Sequence, residues 1–282
     1  MGNTKRCPEC GNTTELSMER SPWGKSYCGN CNFNGPHALF YTQDNNSEKL
    51  FIQDKYDKNK YIDAKGDYVI AQGGDGTMLT AINKFRHLNK PFFGIGAGTL
   101  NFLMNKPNSN SEYNIFKNAK YKTFNLIKVK VAYEKPNILG NLEENIEIFQ
   151  AFNDVMLGGD MNSWIDFNVH DKDKIIGQFK GGGLIISTAQ GSTGINKNNN
   201  GVILPLGSKN WSVTGDKTNR KINYVIKPKR TTITCESRTS VRLWVDGHNH
   251  IIDGVIKIEI SKGDKVTLIF NNYDDFKRKR RQ

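Results

Sequence analysis

Apolar positions along this chain follow two different rhythms. Between residues 37 and 120, short apolar runs alternate with helix-capable stretches: HALFYT (37–42), DYVIAQ (67–72) and PFFGIG (91–96) read as strands, and MLTAINKF (78–85) as an amphipathic helix. A polar segment with Ser47 as candidate N-cap follows the first strand. This alternation predicts an α/β unit with a parallel, Rossmann-like sheet. From Tyr121 the texture changes. NLIKVKVAY, IEIFQAFNDVML, WIDFNVHD, GLIIST, NYVIKP, TTITCES, SVRLWVDG, VIKIEIS and KVTLIF are strand-like runs, so residues 121–270 are expected to be mostly β, with eight or nine strands. Within them SKGDK (261–265) has the make-up of a hairpin turn, and NKNNNG (196–201) that of a loop.

With 37% hydrophobic and 10% aromatic residues among 282, the chain can build a core, and 24% charged residues is too few for wholesale disorder. No apolar run approaches the roughly 18 residues of a membrane span. The start, MGNTKRCPEC, has no apolar h-region, and Arg6 stands where an acylation signal needs Ser or Thr. A soluble, cytoplasmic protein is expected. Of the net charge of +12, five charges come from Lys277, Arg278, Lys279, Arg280 and Arg281 in a basic tail (271–282), leaving +7 for the rest. Such a balance suits nucleotides, polyphosphate or nucleic acid as partners.

Four of the five cysteines lie in the first 31 residues, as Cys7-x2-Cys10 and Cys28-x2-Cys31 separated by 17 residues. That spacing predicts a structural Zn²⁺ site, and residues 1–36 read as a zinc ribbon. The ribbon and the tail are candidate nucleic-acid contacts. Cys235 reads as a small core residue.

Three glycine-rich segments carry the candidate chemistry. Gly73-Gly74-Asp75-Gly76-Thr77 joins a strand to a helix, where close backbone approach and the helix N-terminus suit a phosphate. An acid beside phosphate is repulsive unless it serves as general base toward an attacking hydroxyl, as Mg²⁺ ligand, or simply as helix cap. Gly94-Ile95-Gly96-Ala97-Gly98-Thr99 follows the next strand and misses the dinucleotide fingerprint at Thr99. The third, Gly181 to Gly194, runs a buried-looking strand into a Gly-Ser-Thr-Gly loop whose hydroxyls suit ribose or phosphate oxygens.

Together these segments resemble the NAD kinase family. GGDGT (73–77) is similar to its signature, IGAGTLNFL (95–103) to its GxxGxLGFL segment, FNDVML (152–157) to its Asn-Glu pair, GGGLIISTAQGSTG (181–194) to its GDGLxxSTPTGSTAY segment and WVDG (244–247) to its late turn. The resemblance covers residues 37–270. It implies transfer of a phosphoryl group from ATP or polyphosphate to the 2′-hydroxyl of the adenosine ribose of NAD, with Mg²⁺. By position Asp75 would be the base, and Gly73, Gly74, Gly76, Thr77, Gly98 and Thr99 would meet phosphate or nucleotide. Phe102, Asn153, Asp154, Thr188, Gly191, Ser192, Thr193 and Asp246 would line the dinucleotide site. A homo-oligomer is implied as well.

Four positions depart from the family pattern: Asp154 replaces Glu, Gly182 an acid, Gln190 a Thr and Ile195 a Tyr. The phosphate side is kept while the acceptor side has drifted. Two other readings therefore stand beside NAD phosphorylation: a kinase of the same fold with another nucleotide or a nucleic-acid hydroxyl as acceptor, and a non-catalytic nucleotide or nucleic-acid binder.

Overall fold

The computed structural model describes residues 67–96, 101–106, 119–159, 164–171, 174–247 and 249–279, and the backbone alone of residues 16–18, 25–28, 34–36, 51–53 and 61–63. HALFYT, the segment around Ser47, Cys7, Cys10, Cys31, Gly98 and Thr99 lie outside these residues. The chain divides into two units, residues 1–123 with 266–282 and residues 124–265.

The first unit contains two sheets. A small antiparallel sheet is built from β1 (Leu16–Met18), β2 (Lys25–Cys28) and β3 (Asn34–Pro36), in that order. The second sheet contains β4 (Phe51–Gln53), β5 (Tyr61–Asp63), β6 (Val69–Gly73) and β7 (Phe92–Gly96), with helix α1 (Asp75–Phe85) between β6 and β7. β6 and β7 are parallel, as the strand–helix–strand alternation predicts, whereas β5 and β4 add antiparallel partners at one side. The sheet is therefore mixed. β7 buries apolar residues on both faces (Phe92, Phe93) and β6 buries Val69 and Ala71 on one, while Met78, Ala81, Ile82 and Phe85 of α1 pack down as one buried stripe.

The second unit is β throughout, apart from one turn of helix. Its strands are β8 (Lys120–Pro136, from residue 124 on), β9 (Leu142–Ala151), β10 (Asp154–Gly158), β11 (Ile165–Asp171), β12 (Lys174–Ser187), β13 (Trp211–Thr218), β14 (Asn223–Ile226), β15 (Thr231–Glu236), β16 (Arg242–Val245), β17 (His250–Ile252) and β18 (Val255–Phe270), whose residues from 266 on belong to the first unit. Pairing is antiparallel from β17 through β16, β10, β12, β11 and β15 to the first half of β18. The core gathers the inward residues of nearly every strand, among them Ile127, Val129, Leu157, Phe167, Leu184, Leu243 and Ile258.

Two local expectations are corrected. SKGDK makes no hairpin turn: β18 runs unbroken from Val255 to Phe270, and its last residues, Leu268 and Ile269, pair in parallel with Phe92 and Phe93 of β7. Gly263 explains this, since a Cβ there would lie 3.0 Å from Lys128 N and 3.1 Å from Leu126 O. The glycine permits a close strand approach instead of a reversal. Asp264 N then donates to Gln150 Oε1 at 2.7 Å. NKNNNG is not all loop, because α2 (Ile195–Asn198) runs into it. Buried Asn196 holds that turn, donating to Ser192 O and Val202 O while accepting from Thr214 Oγ1 at 2.7 Å. Within the segment read as a basic tail, Tyr273–Lys279 form helix α3. Its Phe276 is buried against Phe270, ring centroids 4.4 Å apart.

Candidate functional site

In the first unit, β6 ends at Gly73 and α1 begins two residues later. Gly73 has φ +145°, and a Cβ on it would stand 2.3 Å from Thr77 Oγ1, so the turn requires glycine. Gly74 caps the helix with its carbonyl, which accepts from Thr77 N at 3.0 Å and Met78 N at 3.3 Å, and no side chain caps it. Around Gly74 and Gly76 a Cβ would meet no atom of the described residues within 4 Å, so among these residues the backbone of the helix mouth is open. Thr77 Oγ1 is buried without a hydrogen-bond partner.

Asp75 is half-buried at this mouth. Its carboxylate accepts from the backbone of the segment after β7: Phe102 N at 3.0 Å and Leu103 N at 2.7 Å. These amides fix its orientation and bring Phe102 to the glycine turn. A second anchor, which sequence reasoning missed, holds the same segment. Buried Asn105 donates through Nδ2 to Gly94 O and Ile269 O, and its Oδ1 accepts from Asn271 N at 2.8 Å.

The second unit gathers most of the other expected residues around the tight link from β9 to β10. Asp246, in the turn after β16 with φ +48°, accepts from Phe152 N at 2.8 Å, Asn153 N at 2.7 Å and Asp154 N at 3.2 Å. Thr188 Oγ1 donates to Phe152 O and Asn153 O, and Gln190 Nε2 to Phe152 O at 2.7 Å and Asn125 O at 3.1 Å. A Cβ on Gly191 would lie 2.2 Å from Asn153 O, so glycine is required there too. The link is held from three directions.

This changes what several expected contacts can do. Asp246 and Thr188 have their side chains engaged with the 152–154 backbone. Fully buried Ser192 donates to Ala189 O and accepts from Leu204 N, which makes it scaffold. What the clamp presents is Asn153, whose Oδ1 is buried without a hydrogen-bond partner, and Asp154 beside it. Burial, and secondarily the Asp246 charge, push the Asp154 carboxyl up to about 7. Thr193 is half-buried in the loop beyond. Gln190, a departure from the family pattern, is a working part of the clamp. Around Gly182 the missing acid has a neighbour of like chemistry, since Asp216 Oδ2 would lie 3.9 Å from a Cβ placed there. Cys235 is buried in β15, and burial pushes its thiol up to about 12, which suits a core residue and not a nucleophile.

Comparison with known proteins bears on this arrangement. The profile of the ATP-NAD kinase N-terminal domain matches residues 30–119. An NAD kinase of Rickettsia akari is 30% identical over 181 residues, covering 63% of this chain and 67% of that protein. The chain belongs to the NAD kinase family. An NAD kinase of Clostridium beijerinckii is 28% identical over 243 residues, 82% of this chain and 83% of that protein. Among solved structures, yeast NADH kinase complexed with NADH superposes with a TM-score of 0.63 at 18% identity, over 77% of this chain and 65% of that one. An NAD kinase from Archaeoglobus fulgidus in complex with ATP gives 0.60 at 19%, over 77% and 83%. These two share the fold. Among the described residues, no helix is long and apolar enough to cross a membrane.

Proposed function

We propose that the chain transfers the terminal phosphoryl group of ATP, or of polyphosphate, to the 2′-hydroxyl of the adenosine ribose of NAD, giving NADP. The observation that carries this reading is Asp75, held in a fixed orientation at an open, glycine-lined helix mouth in a chain of the NAD kinase family. A ribose hydroxyl is a poor nucleophile near neutral pH, and a carboxylate in reach of its proton makes the attack possible. The hydroxyl oxygen bonds to the terminal phosphorus, its proton passes to Asp75, and the bond to the bridging oxygen breaks as ADP leaves. The amides around Gly74, Gly76 and Thr77 and the N-terminus of α1 receive the phosphate charge.

Among the described residues no three His, Cys, Asp or Glu side chains gather into a metal cage. Mg²⁺ carried in on nucleotide phosphates keeps most of its ligands from phosphate and water and would neutralise phosphate charge at this turn, which leaves the Asp75 carboxylate to act as the base. In the second unit, Asn153 and Asp154 receive the dinucleotide, with Asp246, Thr188, Gln190 and Gly191 positioning them. The reading makes no use of Cys7, Cys10, Cys28 and Cys31 or of the Zn²⁺ their spacing suits. Incubating the purified chain with ATP, Mg²⁺ and NAD should yield ADP and NADP in equal amounts. Labelled ATP offered with NAD, nucleosides, mononucleotides and oligonucleotides should label NAD; label on another acceptor, or no transfer at all, would sink the reading.

The same reading includes a homodimer through the outer face of the β8–β9 hairpin. Register places Lys128, Lys130, Ala132 and Glu134 beside Gln150, Ile148, Ile146 and Glu144, with Ile146 and Ile148 each 55% exposed. Lysines occupy one end of this face, glutamates the other, and isoleucines the middle. A two-fold axis through the middle lays each lysine end over the partner's glutamate end, an isologous match. Sedimentation of the wild type should give a dimer, and Ile146→Lys with Ile148→Lys a folded monomer. A monomeric wild type, or a double variant that stays dimeric, would rule this face out.

A further inference from the structure

Phosphoryl transfer makes no use of a basic patch in the first unit, built from the start of β8 and from α3. Thr123 Oγ1 and Thr267 Oγ1 lie 3.0 Å apart and tie the start of β8 to the end of β18. Just beyond β18, Tyr273 of α3 packs on Phe270 and Phe276, with ring centroids 5.6 and 5.7 Å away, which fixes its ring. Two ammonium groups gather at that ring: Lys122 Nζ lies 4.6 Å from its centroid and Lys277 Nζ 4.9 Å. Exposed Lys120 stands two residues before Lys122, on the same face of the strand. All three lysines bear on Asp274, whose carboxyl is held below the usual carboxylate range by Lys277 first and by Lys120 and Lys122 after it.

Gathering three ammonium groups on one surface costs repulsion. Among the described residues, Asp274 is the one carboxylate paired with any of them, with Lys277 at 3.0 Å. Three lysines against one aspartate leave the patch positive, and a packed aromatic cluster holds that charge in place. This is a surface prepared for an anion. The opposite face of the strand adds a flat apolar group. Tyr121 lies between the two lysines in sequence, points the other way and is 51% exposed. The Tyr68 hydroxyl donates to the Tyr121 hydroxyl, a bond that pushes Tyr68 up to about 12. An exposed tyrosine ordinarily turns in water, whereas this ring is pinned at its outer end and loses less freedom when a ligand stacks on it.

Lysines answer phosphates, and an oriented ring answers a base. The two together are the chemistry of a single nucleic-acid strand, whose bases are free to stack on a side chain. An inorganic polyphosphate would use the lysines and leave Tyr121 idle. We propose that the start of β8 and α3 form a surface for single-stranded nucleic acid, with Lys120, Lys122 and Lys277 on backbone phosphates and a base stacked on Tyr121. The net charge of +12 draws such a partner in. Lysine–phosphate contacts and stacking tolerate any base, so the surface reads no sequence. None of these residues serves phosphoryl transfer, and the proposal stands or falls without it.

The test titrates the full chain into a short fluorescent oligouridine and follows anisotropy. Raising salt from about 50 to about 200 mM should weaken binding about twentyfold, as three phosphate contacts on a single strand imply. Lys120→Gln, Lys122→Gln and Lys277→Gln combined should weaken it at least tenfold at the lower salt and flatten the salt dependence. Tyr121→Leu should weaken it about fivefold or more with the salt dependence unchanged. Melting curves check that each variant is folded. A wild type that does not bind, or whose binding is indifferent to salt, overturns the proposal even if every variant misfolds. So does a folded triple variant that binds like the wild type. Polyphosphate that competes as tightly, phosphate for phosphate, as the oligouridine also overturns it, since the patch would then be a plain anion surface.

Discussion

Asp75→Asn is expected to lower kcat for NADP formation by about 10²–10⁴-fold, the range a positioned general base supplies. The change is not purely chemical. In the wild type the carboxylate also accepts from Phe102 N and Leu103 N. Asparagine keeps one acceptor oxygen but turns an NH₂ group toward the other amide, and a part-buried donor left unsatisfied costs about 1–3 kcal/mol. A loosened segment could by itself depress turnover, so a second variant separates the two effects. Asn105→Ala unties the same segment through Gly94, Ile269 and Asn271 and leaves the carboxylate in place. Both variants should melt at lower temperature, but only Asp75→Asn should lose turnover by two orders of magnitude or more at temperatures where both remain folded. Equal losses would make Asp75 a loop anchor and remove it from the proton transfer.

Which parts of this arrangement are legible in the sequence follows from how far apart the interacting residues lie. The glycine turn can be read directly, because β6, Gly73 to Thr77 and α1 are contiguous and each choice is local: φ at Gly73, the carbonyl of Gly74 at the helix start, the apolar stripe of α1. The clamp on residues 152–154 could not be assembled that way. Thr188 meets Phe152 across 36 positions and Asp246 meets it across 94, and nothing near Asp246 says that its carboxylate will take three amides. The family resemblance gives Asp246, Thr188 and Ser192 the part of ligand contacts; in the structure their side chains bond to the protein's own backbone.

Glycine misled in a particular way. β12 carries Gly181, Gly182 and Gly183, which in the sequence open a glycine-rich candidate binding segment, yet a Cβ at Gly181 would strike Thr218 Cγ2 at 2.5 Å and one at Gly183 would strike Leu157 O at 2.7 Å. The strand is glycine-rich because its neighbours crowd it, information held by β13 and β10 and not by β12. Gly263 in β18 is the same case, where SKGDK has turn composition and the tertiary approach overrides it.

The second large effect concerns the clamp. Asp246→Ala should destabilise the β-rich unit by about 3–5 kcal/mol, the size expected when one buried acceptor serving several amides is removed. Its partner Asp154 gives the effect a pH signature. The folded chain releases the Asp154 proton near pH 7, against an ordinary value of 3.8, with burial the larger cause and Asp246 the smaller. A raised acid means the folded state holds the proton more tightly than the unfolded one. The stability that this proton confers is complete below about pH 4, is lost as pH climbs through about 7, and is flat above. Asp154→Asn, a neutral mimic of the protonated acid, should therefore exceed the wild type in urea midpoint above pH 7 and match it below pH 4. In Asp246→Ala the like charge is gone while the burial stays, so the pH-dependent decline should persist over a narrower span on top of a lower baseline. Urea midpoints of the three proteins across this pH range decide the matter: a wild-type profile that does not fall between pH 4 and 7 would place the Asp154 carboxyl in water, and an Asp246→Ala protein as stable as the wild type would dissolve the clamp.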